Sequence, residues 1–404
     1  MATFDAVVAG AGPAGSTAAR LLAERGASVL LLDKQRFPRD KPCGGGVTLR
    51  AASVQNLDLS PVIERTIYGA RFSLRLGESF DRTYEKPLTY MTQRCRLDAH
   101  LAGQAAAAGA HFHDGESVRE VGAHHDAPLR SDLTIRTSHG TYTSRVLIGA
   151  DGANGVTARA SGLRPQFEEA VALEGNLPFA PDIPEDWREY VGVDLGGLAG
   201  GYGWVFPKQE HLNLGVGAWK YATFTLRPKL TQLCIRYGFD ASRLENLRGH
   251  HLPLRTASSS IASGPIALVG DAAGLIDPLS GEGIHMAFAS GRLAAENAMR
   301  YLAGETTSMA GYERAVDAAL QPELDISRRL QELFHFAPPP YLALMRRSEK
   351  FWLFFCHLIR GELTYLDFVR MIGPLRLALD FFAAVAQRRR EARVTALLPL
   401  VRGA

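Results

Sequence analysis

A strand, a glycine turn, a helix and an acid within the first 33 residues constrain this chain more than any other stretch. Phe4 to Ala9 reads as a short buried strand running into Gly10-Ala11-Gly12-Pro13-Ala14-Gly15, then a helix, then an apolar strand from Ala27 to Leu32 closed by Asp33. That is the layout of a dinucleotide-binding βαβ unit. Gly10 lets the chain turn sharply, Gly12 lets backbone approach a pyrophosphate, and Gly15 lets the helix pack close to the sheet. The pyrophosphate then sits on unpaired helix N–H groups. Asp33 can accept hydrogen bonds from ribose hydroxyls and would repel a 2′-phosphate. Any glycine-rich turn shares the glycines alone; strand, helix and acid in register make the nucleotide reading.

The rest of the chain sets bounds. At 404 residues and 46% hydrophobic there is length for two or three domains and a large core. A net charge of +3 gives a nucleic-acid role no compositional support. Cys43, Cys95, Cys234 and Cys356 stand far apart in no metal-binding spacing, so no zinc site and no disulfide framework is expected, and reduced cytosolic thiols fit. The first strand begins at once, so no cleaved leader is expected. The apolar tract Phe351 to Cys356 is broken by His357 and Arg360, short of the roughly 20 residues of a membrane span.

Along the chain, Pro42-Cys43-Gly44-Gly45-Gly46 is a loop that bends tightly or approaches a flat ligand; a surface loop with an incidental thiol has the same composition. Residues 62–90 alternate apolar and polar side chains (Ala70, Phe72, Leu74, Leu76), as half-buried antiparallel strands do. Arg94 opens an alanine-rich helix closed by Gly109, and Val146 to Ala150 is a buried strand ending in Asp151-Gly152. Residues 165–255 turn to Gly, Pro and aromatics with short strands. Ile266 to Val269 then runs into Gly270-Asp271, and a long helix, about Gly283 to Leu302, follows Pro278-Leu279-Ser280-Gly281-Glu282-Gly283. From Tyr312 the chain reads as helical, with Pro338-Pro339-Pro340 a stiff break. The expected division is therefore discontinuous: 1–60, 91–164 and 256–330 for the nucleotide, 61–90 and 165–255 for substrate, and 331–404 as a helical C-terminal region.

Three strand-to-turn elements, Gly10 to Gly15, Ala150-Asp151-Gly152, and Gly270-Asp271 with the Gly281 to Gly283 turn, together resemble the FAD-binding pattern of p-hydroxybenzoate-hydroxylase-like flavoproteins. Within that class Lys41-Pro42-Cys43-Gly44-Gly45-Gly46 and Tyr202-Gly203-Trp204-Val205-Phe206-Pro207 resemble the geranylgeranyl reductase family. The resemblance spans residues 1–335. It implies an α/β fold, α+β overall: a Rossmann-like FAD-binding domain, an inserted antiparallel β-sheet substrate domain and helices at the C-terminus.

The resemblance assigns FAD contacts to Gly10, Gly12, Pro13, Ala14, Gly15, Asp33, Lys34, Cys43, Gly44, Arg94 near the adenine half, Asp151, Gly270, Asp271 on the ribityl chain, Pro278, Gly281, Gly283 and Ile284. The helix after Gly283 would aim its positive end at the flavin's pyrimidine side. Helix capping is the alternative role for both aspartates. Tyr202, Trp204, Phe206 and Pro207 would line a prenyl pocket, the three aromatics projecting on one strand face; an ordinary core stripe has the same spacing. Cys43 is the expected catalytic residue, with a steric or proton-delivering role. Tyr202 and His285 are the candidates for the acid, and no metal is expected.

The implied reaction is hydride transfer from reduced FAD to a C=C bond of a geranylgeranyl-type chain, with electrons from NAD(P)H or a small redox protein. The alternatives are an FAD-dependent hydroxylase of the same fold and a non-catalytic lipid carrier. For a protein expected in the cytoplasm, Leu375, Leu379 and Phe382 followed by Arg388-Arg389-Arg390 suggest an interfacial helix in peripheral contact with a membrane, or a helix packed on the body with a solvated basic end.

Overall fold

The computed structural model describes residues 2–123, 132–257 and 259–401. Met1, residues 124–131, Ser258 and residues 402–404, all within the expected divisions, lie outside the described residues.

The βαβ unit forms as its sequence dictates. Strand Ala2–Ala9, helix Pro13–Glu24 and strand Val29–Asp33 follow one another, and all five residues of the second strand are buried. A strand covered on both faces reads as an unbroken apolar run, which is why it pairs in parallel. The first sheet has eight strands. Its main path runs Ala262–Ser263, Ile266–Leu268, Thr141–Gly149, Ala2–Ala9, Val29–Asp33 and His111–Asp114, and its four pairings beyond the first are parallel. Leu133–Thr137 and Val118–Ala123 extend it as an antiparallel ribbon. Helix Pro13–Glu24 lies between Arg94–Ala107 and Ile284–Leu302.

The second sheet has seven strands: Glu245–Arg255, Phe167–Pro178, His211–Trp219, Gly201–Pro207, Tyr190–Leu198, Gly69–Leu74 and Phe80–Thr83. Tyr190–Leu198 and Gly69–Leu74 pair in parallel, the other neighbours antiparallel. The apolar alternation of residues 62–90 stops at Leu74, because Arg75 and Leu76 adopt positive φ in a turn. A small third sheet joins Gly46–Thr48, Thr89–Met91 and Arg65–Ile67 in that order, so one strand from before residue 60 is bonded to a strand from after it.

The two faces of the second sheet differ. Val205, Leu214 and Val216 pack with Leu226, Leu230 and Leu233 of helix Leu226–Arg236. The opposite face shows the register partners of these strands. Glu174 stands opposite Gly215, Gly215 opposite Trp204, Trp204 opposite Val193 and Val193 opposite Phe72. Phe72 in turn meets Trp352 and Phe355 of helix Glu349–Arg360 edge-on. The C-terminal helices thus roof the far end of this face. The three prolines begin helix Pro338–Arg347 instead of merely separating elements, since proline at the first helical positions forfeits only N–H groups that have no intrahelical partner.

Candidate active site

Four turns converge at the carboxyl edge of the parallel strands, where open α/β sheets bind ligands. Gly10 has φ +109°, and a Cβ there would lie 2.3 Å from the Ala150 carbonyl; one on Gly15 would lie 1.9 Å from the Gly10 carbonyl. Neither position admits a side chain, so Gly10 to Gly15 is locked against the Ala150-Asp151 turn. Helix Pro13–Glu24 has Gly12 as N-cap and no side-chain cap. Its first N–H groups are therefore open to an anion. Within 4 Å, a Cβ on Gly12 would meet only the guanidinium groups of Arg39 and Arg94.

Those arginines are held by acids. Arg94 is buried and forms paired 2.8 Å bonds to Asp98, whose Oδ2 also takes Arg39 at 2.7 Å. Burial opposes the Arg94 charge, but Asp98 more than offsets it and its pKa is raised. Arg94 thus stands beside Gly12, at the pyrophosphate end of the turn. Asp33 accepts Ala11 N–H at 2.9 Å and Gln35 N–H at 3.0 Å and is paired with Arg39. Arg39, absent from the sequence expectation, partly neutralises the acid expected to repel a 2′-phosphate. Lys34 is exposed next to it.

Asp151 serves its own turn: Oδ2 accepts Val156 N–H, Thr157 N–H and the Thr157 hydroxyl at 2.7–2.8 Å. The capping alternative therefore describes that oxygen, while Oδ1 is buried without a partner among the described residues. Asp271 sits at the next strand's end. Its Oδ2 takes Lys41 at 2.6 Å and lies 3.5 Å from His250 Nε2. Burial raises its pKa, but Lys41 and His250 outweigh that and hold it well below the usual carboxylate range. Gly283 caps helix Ile284–Leu302 with no side-chain cap, and a Cβ on it would lie 3.5 Å from Asp271 Oδ1. Pro278 and Ile284 are buried beneath this turn, and Gly270 N–H is donated to Ser290.

The Cys43 loop crosses from these turns to the second sheet. Cys43 packs against an apolar cluster that includes Val47, Leu97 and Ile284. Its N–H is donated to Glu174 Oε1 at 2.7 Å, and its sulfur accepts Gly45 N–H at 3.4 Å. A Cβ on Gly44 would lie 2.8 Å from the Phe206 ring, so the loop lies directly on the aromatic strand. Lys208, 2% exposed, donates to the Gly44 carbonyl. Tyr202, Trp204 and Phe206 share one face, with centroids 6.1 and 6.2 Å apart. Trp204 Nε1 donates to Asn213 at 2.8 Å, and Tyr202 donates its hydroxyl proton to the Ser280 carbonyl. Pro207 ends the strand, buried.

The two acid candidates differ: the Tyr202 phenol keeps its proton, which the Ser280 carbonyl engages, while His285 is neutral near pH 7. Burial, with Asp277 and Glu282, raises the Tyr202 phenol above its ordinary value, and burial beside Arg50 pushes His285 down to about 3. Sequence reasoning missed three groups that burial brings toward neutrality. Burial lifts Glu174 to about 7 against its bond from Cys43 N–H and the Lys208 charge. It lowers Lys208 to about 8 despite Cys43, Glu64 and Glu174, and lifts Glu282, which accepts Thr48 Oγ1 at 2.6 Å, to about 7. Lys208 follows Pro207 directly, and a lysine at the end of a buried aromatic strand was the available signal.

The donor set fits FAD: an uncapped helix N-terminus beside two guanidinium groups for the pyrophosphate, and Asp271 beside an uncapped second helix for the ring end. The comparisons agree. Residues 3–194 match an FAD binding domain. A menaquinone reductase of Mycolicibacterium smegmatis is 35% identical over 72% of this chain and 75% of its own length. A geranylgeranyl diphosphate reductase of Rhodobacter capsulatus is 32% identical over 74% and 76%. A crystal structure of a geranylgeranyl bacteriochlorophyll reductase-like protein from Thermoplasma acidophilum superposes with TM-score 0.77 and 24% identity, covering 92% of this chain and 99% of that one, a likeness of fold. With the glycine turns, the Cys43 loop and the aromatic strand brought to one edge, the chain belongs to the geranylgeranyl reductase family of FAD-dependent oxidoreductases.

Proposed function

We propose that this oxidoreductase reduces C=C bonds in the prenyl chain of an isoprenoid lipid. The observation that carries the reading is the uninterrupted face from Gly215 through Trp204 and Val193 to Phe72. Three strand intervals of roughly 4.8 Å make a floor of about 14 Å, suited to an extended apolar chain and poorly suited to a polar substrate. Cys43 and Gly44 lie at one end and Trp352 at the other. FAD, when bound and reduced, supplies the hydride.

The chain's own residues hold and orient. Arg39, Arg94 and the open N–H groups of helix Pro13–Glu24 would bind the pyrophosphate, and Asp271 the ribityl chain. Tyr202, Trp204 and Phe206 would exclude water and align the double bond, with Cys43 shaping its approach. We take the electrons to come from a transient nicotinamide or small redox protein, because the sequence encodes no second complete glycine-and-acid unit. The discontinuous division into FAD, substrate and C-terminal parts suits this traffic. Exposed Met371, Leu375, Leu377, Phe381 and Phe382 support peripheral contact with the membrane in which such a lipid resides.

The test is the mass of a geranylgeranyl lipid before and after incubation with dithionite-reduced, FAD-loaded protein under argon, then in air. Gain of two hydrogens per reduced bond without oxygen is expected. Gain of oxygen in air alone identifies a hydroxylase, and an unchanged mass in both removes the reductase reading.

A further inference from the structure

The proposed reaction adds a hydride and a proton across an alkene; the Tyr202 proton is engaged by the Ser280 carbonyl, and His285 is neutral near pH 7. Glu174 occupies a place from which a proton could come. It lies in the same cross-strand row as Trp204, separated from it only by Gly215. The missing side chain at Gly215 matters: a Cβ there would lie 2.0 Å from the Trp204 ring, so the indole lies over that gap toward Glu174. The carboxyl is 9% exposed and joins the sheet to the loop by accepting Cys43 N–H.

Its buried partner is equally specific. Lys208 donates to the carbonyl of the next loop residue, Gly44. A carboxyl and an ammonium, from sites 34 positions apart in the chain, thus grip adjacent peptide groups of the loop that lies on the aromatic strand. A purely structural clasp would not need two ionisable groups, because amides or hydroxyls satisfy an N–H and a carbonyl at lower desolvation cost.

We propose, resting on the prenyl-reductase reading above, that Glu174 is the proton donor of the site and that Lys208 is a positioning residue that sets its charge. The balance is simple. The hydride from reduced FAD, with its electron pair, forms one new C–H bond. The Glu174 O–H bond breaks, its proton forms the other C–H bond, and the π bond is lost. Glu174 is left as a carboxylate stabilised by Lys208 and regains a proton from solvent, while FAD is left oxidised.

The charged surroundings are compatible with this cycle. Facing Glu174 are Lys208, Cys43 and, from the outer end of the loop, Asp40, which is itself paired with Arg248 at 2.9 Å. Facing Lys208 are also Glu64 and His211. With Glu174 near 7 and Lys208 near 8, the carboxyl carries its proton on the acid side of neutrality while Lys208 is still charged. Glu282 is elevated equally, but its carboxyl is engaged by Thr48 and stands with Asp277 and Arg50. It is the natural control.

The experiment has two arms on FAD-loaded protein in a Cys95→Ser background, which leaves Cys43 as the partly exposed thiol beside buried Cys234 and Cys356. In the first, the rate of Cys43 alkylation by iodoacetamide is followed from pH 5.5 to 9 without substrate. The expected profile carries a step near pH 7 that disappears in Glu174→Gln, persists in Glu282→Gln, and moves to higher pH in Lys208→Met, where the charge favouring the carboxylate is gone. In the second, dithionite-reduced protein meets a geranylgeranyl lipid in a single turnover. Glu174→Gln is expected to slow saturation about 100-fold, the usual scale for losing a general acid, with FAD retained; Glu174→Asp is expected to recover part of the rate.

Unchanged alkylation profiles, or a Glu174→Gln turnover within twofold of the parent, overturn the proposal, as does a large loss in Glu282→Gln alone. A parent protein that saturates no prenyl lipid removes the reductase reading itself, and the proposal with it. That outcome is recognised in the parent arm, before any variant is compared.

Discussion

Glu174 shows how one side chain can cost stability for the sake of function. Its folded-state pKa, about 7, is raised above the ordinary 4.5, so the folded protein holds a proton that the unfolded chain releases. Stability from this group is fully present below about 4.5 and is lost as pH rises to about 7. The shift corresponds to about 3 kcal/mol. Glu174→Gln keeps an acceptor for Cys43 N–H and has no charge to bury. The melting temperature of the parent relative to this variant should therefore fall between pH 5 and pH 7.5, readable by calorimetry on the apo-protein. A constant difference across that range would mean that Glu174 titrates normally. At this scale the sequence was legible only where neighbours decide the role. Gly10, Gly15 and Asp33 belong to the one βαβ unit whose spacing announces them. Arg39, Glu174, Lys208 and His250 act on partners brought by other strands or helices, and nothing in their local spacing announces that register.

The aromatic strand was legible because a period of two is a property of the strand itself. What could not be read was its contact with the Cys43 loop, about 160 residues earlier, which depends on how the two sheets dock. That contact is tight. A Cβ on Gly44 would lie 2.8 and 2.9 Å from two Phe206 ring carbons, closer than side chains tolerate. Gly44→Ala should force the ring to swing or the loop to lift, lowering prenyl turnover about tenfold, a barrier increase of about 1.4 kcal/mol. Phe206→Leu, smaller at the same place, should restore most of that loss when combined with Gly44→Ala. Double-mutant kinetics at saturating lipid would show it, and strictly additive losses would mean that the contact does not position the loop. The three prolines give the complementary lesson: they were read as a break, but a proline-rich start is also compatible with a helix when the preceding residue, Ala337, ends the previous one.

Across the whole molecule, the segment beyond the resemblance is what covers the far end of the second sheet. Trp352 is fully buried and donates to the Thr83 carbonyl, and Glu323 takes the N–H groups of Tyr365 and Leu366, so the helices beyond residue 331 are bound to both the sheet and the preceding helix. Helix Arg376–Val401 buries Ala383 and Ala386, and Arg390 is paired with Glu168 and Glu332. The expected stripe is altered by this docking: Leu379 is half-buried, whereas Leu375, Leu377, Phe381 and Phe382 are 53–69% exposed. One side of the helix packs on the body, as the packed-helix alternative expects, and the other offers large apolar side chains beside exposed Arg388 and Arg389, the surface on which the proposed membrane contact rests. Among the described residues no helix is long and apolar enough to cross a bilayer, so any membrane contact through this surface is interfacial. Each exposed basic residue near an anionic surface contributes about 1 kcal/mol, and the effect is screened by salt. Full-length protein should float with vesicles rich in phosphatidylglycerol at low salt. Phe381→Asp with Phe382→Asp should abolish flotation while leaving bound FAD and melting temperature unchanged, because neither side chain supports the core. Flotation that survives both substitutions would place the contact elsewhere, and flotation equal on neutral and anionic vesicles would remove Arg388 and Arg389 from it.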